Sequence, residues 1–162
     1  MQTTSREDQK HVSKLHPQYI VGFVDGEGSF HVAIYKDPRM GTGIKLIPEF
    51  HVSQRVTSRS VLDSLVEELS CGYVKANHAK NPQDTTYVYV VRDRSDLMQY
   101  IIPFFEKHPL QTEKKYDFDC FAEVVRRMHD GKHREKDHLP KILDLAYSMN
   151  QAGKCRRKRH RL

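Results

Sequence analysis

The stretch HPQYIVGFVDGEGSFHVAIYKD, residues 16–37, changes its hydrophobic period in the middle. At 100° per residue, Ile20, Phe23 and Val24 share one face of a helix that begins near Pro17. Val21, Gly22, Asp25 and Gly26 fall on the other side, so this second face carries small residues. From residue 29 the pattern alternates: Phe30, Val32 and Ile34 on one side, Ser29, His31, Ala33 and Tyr35 on the other. A helix therefore hands over to a strand through Asp25-Gly26-Glu27-Gly28, read here as a turn.

The same two periods recur downstream. IKLIPEFHVSQ (44–54) reads as a strand with Leu46, Phe50 and Val52 inside and Lys45, Glu49, His51 and Ser53 opposite; Pro48 suggests an edge or a bulge. A helix is expected from Ser60, with Asp63 at capping-box spacing, a stripe of Val61, Leu62, Leu65, Val66 and Leu69, and a stop at Gly72. GYVKAN and TTYVYVVR read as two more strands. Helices follow at about 96–107, after Thr112 to Gly131, and from Pro140. The order α-β-β-α-β-β-α-α-α predicts an α+β fold: a four-stranded antiparallel sheet with helices on one face and the other face open to a partner. A loose segment (1–15), one domain (16–153) and a basic tail (154–162) are expected.

Charge narrows the partners. The net charge is +6, and the tail KCRRKRHRL holds six of the 27 Lys and Arg, leaving 21 bases against 21 acids elsewhere. That surplus suits a polyanion through counterion release, or marks a solvated end or an address signal. The cysteines, Cys71, Cys120 and Cys155, are odd in number and form no CxxC, which argues against a disulfide framework. No apolar run spans a bilayer and residues 1–14 show no signal-peptide core, so an intracellular protein is expected. HDGKH (129–133) and His138 match no zinc spacing and read as a polar loop after a helix.

The acids in the opening stretch have a chemical use. Gly22 and Gly26, four apart, permit two helices to cross closely. If two copies cross there, each sets its Glu27 beside the other, and a hard divalent cation with a substrate phosphate relieves the repulsion. IVGFVDGEG, residues 20–28, resembles the nine-residue motif of the LAGLIDADG homing endonucleases, and FHVSQR, LDSLVEELSCGYV and PLQTEKKYDF resemble further landmarks of that family. The resemblance covers roughly residues 17–150. It implies a saddle-shaped sheet and, with one motif per chain, a homodimer joined through Val21, Gly22, Asp25 and Gly26. It implies cleavage of both strands of a long DNA site with Mg²⁺ or another divalent cation such as Mn²⁺. The metal ligands implied are Glu27 and the carbonyl of Gly26, while Asp25 orients the helix end. Gln54 takes the glutamine role and Lys114, with Lys115 as its neighbour, the lysine role. The arginine role falls on Arg59, although Ser58 stands at the matching position and Arg55 is the alternative.

A two-stranded ribbon fits the major groove. By alternation Ser29, His31, Tyr35, Lys45, Glu49, His51, Tyr73, Lys75 and Asn77 point to the open face and form the expected DNA-binding set. A strand of about eight residues spans ~26 Å, so each subunit follows about eight base pairs. The leading reading is a site-specific double-strand DNA endonuclease located with DNA, in a bacterial cytoplasm or an organelle. The alternatives are a non-catalytic binder of the same fold, such as an RNA-splicing maturase or a DNA-binding regulator, and a basic RNA-binding protein of ribosomal type.

Overall fold

The computed structural model describes residues 14–149. The basic tail, Cys155 and nearly all of the N-terminal segment lie outside these residues. Helix α1 (Pro17–Glu27) runs directly into strand β1 (Gly28–Lys36), and β2 (Ile44–Arg55) follows. A 3₁₀ turn (Val56–Ser58) leads to α2 (Arg59–Leu69), then come β3 (Tyr73–Ala76) and β4 (Thr86–Val91). Short α3 (Arg94–Asp96) continues through a π-helical stretch (Leu97–Ile101) into α4 (Ile102–Lys107). Helices α5 (Lys114–His129) and α6 (Leu139–Ser148) complete the described chain.

Local chemistry explains these boundaries. Pro17 opens α1, and the His16 ring accepts a hydrogen bond from the Gln18 amide, satisfying one helix-end donor. The π stretch ends where Ile102 N–H bonds the Leu97 carbonyl, just before Pro103, which has no N–H to continue an α ladder. Helix α2 departs from expectation: it starts at Arg59, Ser58 caps it without a side-chain bond, and the Ser60 carbonyl accepts the Ser64 hydroxyl at 3.1 Å. The preceding 3₁₀ turn moves the start upstream, so the Ser60–Asp63 box does not form. Past α2, Gly72 has φ +78°, and a Cβ there would lie 2.7 Å from both the Tyr89 ring and the Val90 carbonyl.

The sheet is antiparallel with order β1-β2-β4-β3. β2 is its spine: it pairs with β1 from Ile44 to Val52 but with β4 only from Phe50 to Arg55. Pro48 therefore lies where one side of β2 has no strand among the described residues, which accommodates its missing donor. One sheet face carries Phe30, Val32, Phe50, Val52, Tyr89 and Val91 into the core, where helices cover it. Phe30 stands at the centre of that core, its ring 4.8 Å from Phe50, 5.6 Å from Phe105, 5.3 Å from Phe118 and 5.4 Å from Phe121. The sheet is thus bound to α4 and α5 by aromatic packing.

Candidate active site and nucleic-acid face

The Asp-Gly-Glu segment is the last turn of α1 rather than a separate turn, and β1 begins at the next residue. Gly28 makes this possible: its N–H bonds the Val24 carbonyl, and a Cβ would sit 2.6 Å from Val24 Cγ1 and 2.8 Å from Val24 O. The carbonyls of this helix end attract a cation. Lys114 Nζ donates to Val24 O at 2.9 Å and to Gly28 O at 2.5 Å. Burial lowers the Lys114 pKa, opposed by the charges of Asp25, Asp117 and Glu27.

Asp25 makes the reciprocal connection. Its carboxylate accepts from Gln111 N at 2.9 Å, Thr112 Oγ1 at 2.8 Å and Thr112 N at 3.3 Å, all in the chain entering α5. The end of α1 and the start of α5 are therefore clamped together twice, by an acid from one and an amine from the other. Lys115 turns away and pairs with Asp119 at 2.6 Å.

Glu27 is exposed at the end of α1, and among the described residues its carboxylate makes no hydrogen bond or ion pair. Gly22 and Gly26 are exposed too, with nothing within 4 Å of a Cβ built on either. Val21 departs from the expected interface set. It is 2% exposed and belongs to the core, because α1 buries an arc wide enough to include Ile20, Val21 and Val24. Gly28 pairs with Val52, so Gln54 extends β2 two residues past that rung, toward the α1 end. Gln54 pairs with Tyr87, whose ring carries the Arg59 guanidinium 4.6 Å above it. Arg59 also lies 3.6 Å from Asp63. Arg55, by alternation, faces the opposite side of the sheet from Gln54.

On the open face of the sheet, His31 pairs across the strands with Glu49, and their side chains meet at 3.1 Å. The His31 and His51 rings are 4.7 Å apart, and Arg92 Nε lies 2.5 Å from the other Glu49 oxygen. Glu49 is 9% exposed, so it is embedded in a polar cluster instead of projecting freely. Burial lowers the His51 pKa; Glu49 raises it, and Arg92 and Lys75 lower it further. Tyr35 and Tyr73 are exposed on this face. Val88 and Val90 are buried on it, flanked by the cross-strand neighbours His51, Ser53, Tyr73 and Lys75. Asn77 lies just beyond β3, its backbone N–H bonded to Thr86 O at 2.8 Å. Arg92 joins the face without belonging to the expected set, although it continues the alternation of Val88 and Val90.

Residues 20–125 match the family model described as LAGLIDADG endonuclease. The chain belongs to the LAGLIDADG endonuclease family. A probable intron-encoded endonuclease of Neurospora crassa is 34% identical over 138 residues, covering 84% of this chain and 29% of that protein. The homing endonuclease I-TnaI superposes with a TM-score of 0.79 at 40% identity, over 87% of this chain and 92% of that one. The I-SmaMI LAGLIDADG homing endonuclease, solved bound to cleaved DNA, has a TM-score of 0.79 at 32% identity, over 86% of this chain and 45% of that one. The chain spans 29% and 34% of the length of the first two curated relatives it matches.

Within the LAGLIDADG frame, the structure brings Glu27, Gly26 and Lys114 together at one helix end. Gln54 lies toward the same end of the sheet, with Arg59 stacked nearby on Tyr87. The Asp25–Thr112 clamp is foreshadowed in sequence only by the motif's first acid; its partner lies 87 residues away.

Proposed function

We propose that this LAGLIDADG chain is a metal-dependent, site-specific DNA endonuclease that works as a homodimer on a long, partly palindromic target. The observation that carries the reading is the exposed Glu27 carboxylate on a helix end that is itself rigidly clamped by Lys114 and Asp25. Family membership, and a structural neighbour solved with cleaved DNA, support it.

The donor set fits a hard divalent cation. Glu27 contributes a carboxylate and Gly26 a carbonyl from the last helical turn, where carbonyls lack intrahelical partners. Mg²⁺ or Mn²⁺ is the ion we infer, held between two copies. When bound, it would stabilise the leaving oxygen and lower the pKa of a bound water. The chain's own residues do the rest. Lys114 and Asp25 hold the α1 end in register with α5, so that Glu27 keeps one orientation. Gln54 orients water at the adjoining end of β2, and Arg59 supplies positive charge toward the phosphate. The open sheet face meets the major groove, and a two-fold dimer presents identical faces to two half-sites. Relatives named intron-encoded support a role beside a genome that carries introns; the location we infer is an organelle or a bacterial cytoplasm.

Glu27→Gln tests the reading. It should abolish Mg²⁺-dependent cleavage of a selected target while leaving binding in a mobility-shift assay within about twofold, because it removes a metal ligand and no sheet contact. Cleavage at the native rate by the variant overturns the proposal. Binding without cleavage by the native chain would favour the non-catalytic alternative.

A further inference from the structure

We propose that His31, Glu49 and His51 form a binding site for a Zn²⁺-type transition-metal cation on the open sheet face, apart from the Glu27 position. Each offers one ligand atom, and these atoms all lie within 4.8 Å of one another. His31 Nε2 and Glu49 Oε2 are 3.1 Å apart. A tetrahedral ion with bonds of 2.0–2.2 Å holds its ligands roughly 3.3–3.5 Å apart, so this pair is already near the required spacing. His51 completes the set with a side-chain adjustment of up to about 1.5 Å.

The three residues come from a rigid frame. His31 and Glu49 are direct partners across β1 and β2, and His51 lies two residues further along β2 on the same face. Side chains presented by paired strands lose less freedom on binding than side chains on loops. Two histidines and one carboxylate are the three-ligand set of open zinc sites, which leave a fourth position for water or an outside ligand.

The charges around the cluster define its chemistry. Arg92 lies on Glu49 Oε1, leaving Oε2 toward His31. A carboxylate held on its outer oxygen points its other oxygen in one direction, as outer hydrogen-bond partners do for metal ligands. Arg92 and Lys75 place positive charge near His51, and they weigh against a cation held by charge alone. The affinity must come from imidazole–metal bonding, which favours Zn²⁺, Co²⁺, Ni²⁺ or Cu²⁺ over Mg²⁺ and Ca²⁺. Binding replaces any proton held between His31 and Glu49 and releases it to solvent. Occupancy would also tie down three side chains on the face proposed to read DNA.

The test needs no DNA and no cleavage, so its outcome is separable from the endonuclease reading. Zn²⁺ alone is titrated into the full chain against a chromogenic chelator, with Co²⁺ absorption reporting coordination. The native chain and Glu27→Gln should both bind one Zn²⁺ per chain at this site. His31→Gln and His51→Gln, checked for native circular dichroism, should each bind at least about tenfold more weakly. Zn²⁺ should raise the melting temperature of the native chain but not of these variants, and about a hundredfold excess of Mg²⁺ should not displace it. Cys155→Ser should leave this binding intact. Equal Zn²⁺ affinity in the native and histidine variants overturns the proposal. So does loss of binding in Cys155→Ser, displacement by Mg²⁺, or an equal melting shift in all variants.

Discussion

Gly28 stands where a helix becomes a strand with no residue to spare. A Cβ there would collide with the Val24 carbonyl as well as its side chain, so moving one rotamer does not relieve the clash. Gly28→Ala should cost about 1–3 kcal/mol by chemical denaturation. Adding Val24→Ala should not restore it, because the backbone oxygen remains and a fully buried core side chain is lost. Lys114 meets the same helix end from outside. Lys114→Met keeps the stem but removes the ammonium from two carbonyls, and should lower stability by about 1 kcal/mol. It should also reduce single-turnover cleavage by loosening the Glu27 end. Lys115→Met loses only an exposed pair with Asp119 and should change stability by less than about 0.5 kcal/mol with cleavage retained. The reverse ranking would give the active-site lysine role to Lys115.

Helix α1 has a buried face and a bare one. Ile20, Val21 and Val24 are buried in the chain's own core, while Gly22 and Gly26 are exposed with open space above them. Tyr19, 50% exposed, stacks on Phe23 beside that bare strip, their centroids 5.9 Å apart. Gly22→Leu separates folding from assembly. In an exposed helix interior, leucine is favoured over glycine by up to about 1 kcal/mol, so the subunit should fold at least as well. A bulky side chain on the strip should nevertheless keep two helices apart. Sedimentation should show a dimer for the native chain and a monomer for Gly22→Leu, with cleavage lost. An unchanged, fully active dimer in the variant would remove the proposed interface.

The charge of the whole chain is uneven. Positions 1–153 are balanced, and the surplus lies in residues 154–162, outside the described structure. Deleting that tail should weaken binding about equally for target and non-target DNA, since interactions with phosphates carry no sequence information. The salt dependence should become shallower by about 0.9 for each phosphate that the tail would otherwise neutralise. Cleavage at saturating protein should persist. Unchanged affinity and slope would mark the tail as a solvated end or an address signal.

Periodicity is enough to read the element order, the open face of the sheet and most of the core, because those patterns are local: a strand's alternation or a helix's stripe depends on near neighbours in the chain. The motif likewise draws attention to Glu27 and the helix end. Four features lie beyond the reach of local pattern. Spacing assigns Val21 to the outer face because it gives an angle around α1 but not the width of the buried arc, which depends on what packs against it. The expected Ser60 start gives way to one at Arg59, directly after a 3₁₀ turn (Val56–Ser58) that periodicity does not show. The bonds from Lys114 to Val24 and Gly28 join residues 90 and 86 positions apart, and the His31–Glu49–His51–Arg92 cluster draws on three segments. Such meetings exist only once strand register and helix docking bring distant residues within bonding range. Local pattern in the sequence settles which elements form and which residue types they present. The tertiary structure settles which of those residues meet, because meeting is set by packing rather than by spacing along the chain.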